Sequence, residues 1–255
     1  MSETAKPRIP MVVWQGLLGV AFLGAWQELV NAGKLDKFFF SRPSDIAGRI
    51  VEWFRTGSIW PHLLVTMEEA ALAFALGAAA GMIVGFGLAR APWMGRLFDP
   101  YIKVLNALPR VVLAPIFLLW FGLGIWSKVV LGVTVVFFIV FFNTLQGVRD
   151  VDPVVVDNAR MLGASEWQLV RHVLIPSALT WVFASLHISV GFAMIGVVVG
   201  EYLGAARGVG YLISQAEGTF DTTGVFAGMT VLSAVVLVIG WAVDRLEHRL
   251  LRWKA

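Results

Sequence analysis

Six stretches of this sequence are apolar over the length that crosses a bilayer, and they constrain its fold more than any other feature. A transmembrane helix needs about 20 mostly apolar residues, and each stretch contains at most two charged side chains. Hydrophobic residues make up 58% of the chain and charged residues only 15%, which excludes a water-soluble globule and a disordered chain. We therefore predict an all-α integral membrane protein of about six transmembrane helices. The predicted spans are Met11–Val30, Leu63–Ala89, Val104–Leu123, Ser127–Gln146, Ala178–Val199 and Val225–Val243.

The distribution of basic residues predicts how these spans are oriented. An even number of spans places both termini on one side, and 12 Lys and Arg fall on that side against seven on the other. Because basic residues favour the cytoplasm, residues 1–10 and 244–255 are predicted to be cytoplasmic tails of a transmembrane domain over residues 11–243. The first stretch is interpreted as a retained helix, since it exceeds a typical signal peptide and no cleavage site follows it.

Two polar connections carry amphipathic patterns. On the predicted outer side, residues 43–56 follow the pattern of a short helix on the membrane surface, with Ser44 or Asp45 as its N-cap. On the predicted inner side, residues 148–177 are too polar to span the bilayer, and two short helices are predicted there. Gly163 suits the stop of the first and Ser165 the N-cap of the second, while Pro176 ends or kinks that second helix.

The sequence pattern of residues 148–177 favours two interpretations equally. One is an ordinary connector that lies on the membrane, and the other is a docking element for a groove on a soluble partner.

Neither a catalytic nor a metal site is predicted for this chain. Cysteine is absent, which removes thiolate chemistry and Cys-ligated metals. The sequence contains neither the glycine-rich nucleotide-binding motif G-x-x-x-x-G-K-[ST] nor the zinc-binding motif H-E-x-x-H. The chain is therefore predicted not to be an enzyme, and no cofactor is expected on it.

Four residues within the spans are candidates for a transport pathway. Arg110 follows Pro109 within a predicted span, where it would either meet an anionic substrate or find a structural partner, and we favour the structural partner. Glu201 either lines the outer mouth or marks the membrane interface. Gly191 and Gly196 either leave a groove for substrate or allow close packing, and we favour packing. Glu68 and Glu69 are expected to reach the outer interface.

One motif in the polar inner connection resembles that of a known family. Asp157-Asn158-Ala159, three residues, Gly163, nine residues and then Val173-Leu174-Ile175-Pro176 resemble the EAA motif of ATP-binding-cassette (ABC) importer permeases. That motif reads E-A-A, three residues, G, nine residues and I-x-L-P. The segments Leu108–Gly124 and Gly200–Ile213 also resemble the nitrate, sulfonate and taurine branch of this family.

The resemblance implies a specific function. Such permeases form a dimeric pathway in the bacterial inner membrane, receive solute from a periplasmic or lipid-anchored binding protein, and contact two separate subunits that bind ATP and Mg. It implies a small, anionic solute such as a sulfonate, taurine or nitrate, and no nucleic-acid partner. The residues it assigns to ATPase coupling are Asp157, Ala159, Gly163, Ala164, Ser165, Glu166, Trp167 and Pro176.

The alternative function is a secondary transporter or channel driven by an ion gradient. It predicts inverted repeats and ionisable residues at the membrane midplane. The sequence has no clear inverted repeat, and its acidic residues lie mostly near the ends of the predicted spans.

Overall fold

The computed structural model describes residues 10–250, with side chains for residues 10–243 and 245. Residues 1–9 and 251–255, which belong to the two predicted tails, therefore lie outside the described residues. The described part of the chain is helical and contains no strand, which confirms the predicted fold class. The helices are α1 (Met11–Asn31), α2 (Lys37–Phe40), α3 (Pro43–Thr56), α4 (Trp60–Arg90), α5 (Pro92–Ala107), α6 (Ala114–Phe121), α7 (Ile125–Arg149), α8 (Pro153–Met161), α9 (Glu166–Leu169), α10 (Ile175–Leu203), α11 (Val209–Gly218) and α12 (Thr222–Leu250).

Four helices of the described chain are long and apolar enough to cross a membrane. They are Trp60–Arg90, Ile125–Arg149, Glu166–Leu203 and Thr222–Val243, and they contain the second, fourth, fifth and sixth predicted spans. The first predicted span forms α1, which has 21 residues. Helix α1 is not among the four helices that are apolar enough to cross a membrane, because Gln15, Gln27 and Glu28 lower its hydropathy.

The third predicted span, Val104–Leu123, is wrong as a single straight helix. The chain forms α5, breaks at Leu108 and Pro109, and continues through a short 3₁₀ turn into α6, with a bend of 85°. Proline has no amide hydrogen to donate and drives the preceding residue out of the helical region. Leu108 accordingly has an extended backbone, with φ −64° and ψ 129°. The bent pair is one broken span or a re-entrant loop.

Helices α4, α7 and α10 form the core, and glycines bring their backbones close together. A Cβ atom built on Gly81 would lie 2.8 Å from the carbonyl oxygen of Phe137, and one on Gly85 would lie 2.7 Å from that of Phe141. Hydrophobicity gives little drive for association in lipid, so small residues that permit close contact stabilise such pairs. Gly81 and Gly85 therefore allow α4 and α7 to pack closely.

Helix α3 occupies the amphipathic segment, but its start differs from the expectation. It begins at Pro43, with Arg42 at the N-cap position, so the predicted cap by Ser44 or Asp45 is wrong. Proline is favoured at the first helical position because its missing N–H would have no partner there. Asp45 instead forms an ion pair of 2.9 Å with Lys37, and the hydrogen bond from Lys37 lowers the pKa of Asp45 below its ordinary value.

Polar contacts attach α3 to the beginning of α12. Arg49 forms a 2.5 Å ion pair with Asp221, and the hydroxyls of Ser41 and Thr223 are 2.7 Å apart. Ile46 is the buried residue of α3. The helix is therefore packed against the bundle as well as being amphipathic.

Candidate coupling surface and buried polar sites

The inner connection forms two short helices with well-capped ends. Asp152 begins α8 by accepting a hydrogen bond of 2.8 Å from the amide of Val154. Gly163 has φ +81°, a conformation that glycine adopts without steric cost. Ser165 then begins α9 in a reciprocal capping box with Gln168. The predicted pair of helices is thus present, with Gly163 between them. We call residues 150–169 the coupling loop.

The coupling loop exposes large apolar side chains. Leu162 is 89% exposed and Trp167 is 68% exposed. Asp157 is also exposed, whereas Ala159 and Ala164 are half-buried. A shallow depression of about 300 Å³ lies beside these residues and is lined by Ala159, Leu162, Gly163, Ala164, Gln168, Leu169, His172 and Val173.

Glu166 connects the coupling loop to the end of α4. Its carboxylate accepts a hydrogen bond of 2.9 Å from Arg90 and one of 3.4 Å from Arg160. Arg160 also lies 3.9 Å from the carboxylate of Asp157. The pair with Arg90 thus links α9 to α4, and the pair with Arg160 links α8 to α9.

Pro176 does not end the second helix. A π-helical turn, Val170–Leu174, precedes it, and α10 continues to Leu203. Such turns accommodate a local irregularity within a helix, and proline removes one backbone hydrogen bond at this point. The coupling loop is consequently continuous with a helix of 38 residues, Glu166–Leu203, and buried Leu169 and Leu174 fix this junction to the bundle.

Arg110 has structural partners that the sequence did not single out. Its guanidinium donates a hydrogen bond of 2.7 Å to the side-chain oxygen of Asn106. It also lies over the ring of Phe138, 5.1 Å from the centroid, where a cation is attracted by the ring face. The structural partners of Arg110 are thus a side-chain amide and an aromatic ring.

The two candidate glycines of α10 differ in their surroundings. A Cβ atom on Gly196 would lie 2.8 Å from the Cα atom of Gly132 in α7, so this position is used for helix packing. A Cβ atom on Gly191 would meet nothing within 4 Å. The structure therefore does not combine them into one groove.

Glu201 is fully buried and belongs to a cluster that sequence reasoning missed. It accepts hydrogen bonds from the hydroxyl of Thr66, at 2.6 Å, and from the amide of Gly210, at 2.7 Å. Glu69 is 2% exposed and Lys128 is 1% exposed beside it. We call Glu69, Lys128 and Glu201 the Glu–Lys cluster.

The cluster corrects one expectation from the sequence. Glu69 is buried and does not reach the outer interface, whereas its neighbour Glu68 is exposed. Adjacent helical residues point about 100° apart, so one of the two faces the core. Lys128 is also buried and donates hydrogen bonds to the carbonyls of Leu123, at 2.7 Å, and Gly124, at 3.0 Å.

The Glu–Lys cluster and the coupling loop lie at opposite ends of α4. Glu69 is near its start and Arg90, the partner of Glu166, is its last residue. At 1.5 Å per residue, their separation of 21 positions along the helix corresponds to about 32 Å, which is about the thickness of the hydrocarbon core. Among the described residues, no three His, Asp or Glu side chains are grouped so as to hold a metal ion.

Comparisons with known proteins agree with this architecture. A family described as the binding-protein-dependent transport system inner membrane component matches residues 77–252. The putative aliphatic sulfonates transport permease protein SsuC of Bacillus subtilis is 32% identical over 238 residues, 93% of this chain and 86% of that protein. The riboflavin transport system permease protein RibX of Chloroflexus aurantiacus is 33% identical over 230 residues, 90% of this chain and 86% of that protein.

The fold also matches a solved transporter. An inward-facing structure of the MetNI methionine ABC transporter superposes with a TM-score of 0.61 at 18% identity. The match covers 77% of this chain and 95% of that chain. It shows that the two proteins share their helical fold.

Proposed function

The chain belongs to the binding-protein-dependent transport system inner membrane component family, and from this premise we propose that it forms, as a dimer, the pathway of an ATP-driven importer for a small anionic solute. In this proposal two separate ATPase subunits bind ATP and Mg, and a solute-binding protein delivers the cargo from outside. Both termini then face the cytoplasm. The chain itself is a transport subunit without a catalytic role.

The coupling loop is the observation that supports this proposal most strongly. Its exposed Leu162 and Trp167 present apolar area at one end of the bundle, which is typical of a surface that another protein covers. Large apolar side chains of this kind often anchor protein interfaces. The depression beside them gives a partner a shape to fit against.

The connection from the coupling loop to α10 supports its mechanical role. Glu166 ties the loop to α4, and Glu166–Leu203 is one continuous helix. A partner that moves the loop therefore also moves the residues of a membrane span. Movements of packed helices as rigid units are a common basis of alternating access.

The nature of the solute rests on the branch resemblance and on one relative. SsuC of Bacillus subtilis is named for aliphatic sulfonates, whereas RibX of similar identity is named for riboflavin. We propose a sulfonate, taurine or nitrate as cargo. Arg110 and Gly191 are half-buried in the subunit and are the pathway candidates that we retain, whereas Glu201 and Gly196 are buried.

Cysteine labelling tests the partner surface. Because the chain lacks cysteine, Leu162→Cys provides a single reporter on the coupling loop, and Phe39→Cys provides an exposed control on α2. We expect the ATPase subunit to slow thiol labelling at position 162 at least tenfold and to leave position 39 unchanged. Equal labelling with and without the ATPase would contradict the proposed coupling surface.

Reconstituted uptake tests the transport function. The permease, its ATPase and its binding protein are placed in liposomes, and uptake of taurine, an alkanesulfonate, nitrate and riboflavin is measured with and without ATP. We expect ATP-dependent uptake of one of the anions. Riboflavin uptake alone would overturn the anionic cargo but retain the importer, and uptake driven by an ion gradient without the ATPase would support the secondary transporter instead.

A further inference from the structure

The Glu–Lys cluster contains more negative than positive charge if all three groups are ionised. Its two carboxylates come from α4 and α10, and its single ammonium comes from α7. All three side chains are almost completely buried. A buried charge without a partner is strongly unfavourable, so the excess negative charge needs an additional positive species.

The hydrogen bonds indicate which of the two carboxyl groups is ionised and which holds a proton. Glu201 accepts two hydrogen bonds, from Thr66 and Gly210, which suits an ionised carboxylate. Glu69 lies three residues after Thr66 on the same face of α4, and Thr66 donates to Glu201, so the fold places the carboxyl group of Glu69 beside that of Glu201. The Oε2 atom of Glu69 is buried and finds no hydrogen-bond partner among the described residues. Ionised carboxylates only accept hydrogen bonds, so a proton on Glu69 would give this oxygen a hydrogen to donate.

The charged side chains around Glu69 and Glu201 do not directly supply the second positive charge that two ionised carboxylates would need. On α7, the ammonium of Lys128 is committed to the carbonyls of Leu123 and Gly124. Arg207 lies in the connection after α10 and lines a cavity of about 190 Å³ together with Glu69 and Lys128. On α4, Glu68 faces away and is exposed.

The remaining titratable neighbour on α4 is His62, which lies beside the backbone of segment 204–210. Its Nδ1 atom is 3.2 Å from the amide nitrogen of Gly208. From α11, the amide of Gly210 faces Glu201. Apart from exposed Glu68, the charged and titratable side chains around Glu69 and Glu201 are thus Lys128, Arg207 and His62 among the described residues.

The segment 204–210 is folded directly onto the carboxyl pair. A Cβ atom on Gly208 would lie 2.2 Å from the carboxyl carbon of Glu201, and the residue has φ +118°. The amide of Val209 donates a hydrogen bond of 2.9 Å to Thr66, which itself donates to Glu201. The carboxyl pair therefore determines how this segment is held between α10 and α11.

We propose that Glu69 and Glu201 bind one proton between them, and that this proton-bridged pair locks segment 204–210 onto the ends of α4 and α10. Without the proton, the two buried carboxylates repel each other. The ammonium of Lys128 is then the one positive charge of the cluster formed by α4, α7 and α10. The segment then moves outward and water enters the cavity beside Glu69, Lys128 and Arg207. This proton site is independent of which solute is carried.

The sign of the pH dependence of stability is the first test. In the unfolded chain a glutamate loses its proton near pH 4.3, whereas the folded pair retains one. The equilibrium constant for folding should therefore fall up to about tenfold per pH unit as pH rises through the interval in which only the folded state holds the proton. The measurement is the thermal unfolding midpoint of the intact permease in detergent across neutral and alkaline pH.

Two variants make this test specific. Glu69→Gln removes the titrating proton and keeps a hydrogen-bond donor, so its stability should not fall over the interval. Glu68→Gln, on the exposed neighbour, should behave as the wild type. A wild-type midpoint that rises or stays constant across this interval would overturn the shared proton and indicate a fully ionised cluster.

Infrared spectroscopy and labelling provide readouts that do not depend on unfolding. A carbonyl band from a protonated carboxyl is expected in the wild type and in Glu68→Gln at neutral pH, and should disappear in Glu69→Gln. Its absence in the wild type would overturn the proposal, even if Glu69→Gln failed to fold.

Labelling of Ala205→Cys reports on the segment itself, with Phe39→Cys as the reference for intrinsic thiol reactivity. The labelling ratio should rise severalfold with pH in the single variant and remain constant when Glu69→Gln is added. A ratio that does not change with pH in the single variant would overturn the lock.

Discussion

The coupling loop leaves apolar side chains exposed at one end of α4, whereas the Glu–Lys cluster buries three charged side chains at the other. In both places the burial is the opposite of what the residue types favour. The loop has unused contacts that a partner can satisfy. The cluster is enclosed within one subunit, so we assign it to the conformation of the subunit and assign the loop to assembly.

Replacement of Lys128 by methionine should have the largest effect on stability. It leaves the carbonyls of Leu123 and Gly124 without their charged donor, at about 2 kcal/mol each, and removes the buried ammonium of the cluster. We expect Lys128→Met to reduce the yield of folded permease sharply, measured by size-exclusion chromatography. Lys128→Met combined with Glu201→Gln should recover part of that yield, and a single variant that folds as well as the wild type would contradict a role of the cluster in folding.

The Glu–Lys cluster and the coupling loop each contain a glycine with positive φ, so their backbones can be compared directly. Gly208 and Gly163 have φ +118° and +81°, but only Gly208 has atoms within 4 Å of a built Cβ. Gly208→Ala should destabilise by about 3 kcal/mol through strain and crowding. Gly163→Ala should cost about 1 kcal/mol through strain alone. Thermal unfolding in detergent measures both, and equal losses would show that crowding at Glu201 is unimportant.

Trp167 tests whether the exposed apolar surface serves assembly alone. Trp167→Ala should weaken binding of the ATPase subunit about 30-fold, which corresponds to about 2 kcal/mol for an anchoring aromatic residue. The unfolding midpoint should not change, because Trp167 is exposed. Titration of the ATPase against immobilised permease measures the affinity, and Trp14→Ala on α1 is the matched control. A large loss of stability in Trp167→Ala would contradict the separation of the two roles.

Glu166 should give the smallest effect. Its ion pairs with Arg90 and Arg160 are exposed, and exposed pairs contribute little and weaken with salt. Glu166→Gln should leave the unfolding midpoint unchanged and lower ATP-driven uptake about twofold at low salt. The difference from the wild type should disappear at high salt, and a salt-independent loss of uptake would indicate direct contact between Glu166 and the partner.

Local sequence patterns were sufficient to predict the coupling loop but not the Glu–Lys cluster. Gly163 and Ser165 were identified because stop and cap residues act on neighbours within one turn. Glu69, Lys128 and Glu201 are far apart in sequence, and the pattern around each one resembles an ordinary span end. Their proximity depends on how three helices pack, which a single sequence does not reveal.

The bend between α5 and α6 shows a different limit of prediction. Average hydropathy over Val104–Leu123 indicated a span, while Pro109 carried the information that the backbone is broken there. Arg110 illustrates the same point, because Asn106 is one turn away but Phe138 comes from another helix. The composition of this window therefore predicted a membrane segment but not its bend.

The glycine contacts between α4 and α7 restrict how this subunit can change shape. Movement of α4 along α7 by one residue would press side chains against the backbone near Gly81 and Gly85, because those positions leave no room for a Cβ atom. Close-packed interfaces of this kind resist sliding. Helices α4 and α7 therefore behave as one block with a fixed register, and a change of shape that preserves their contact moves the two helices together.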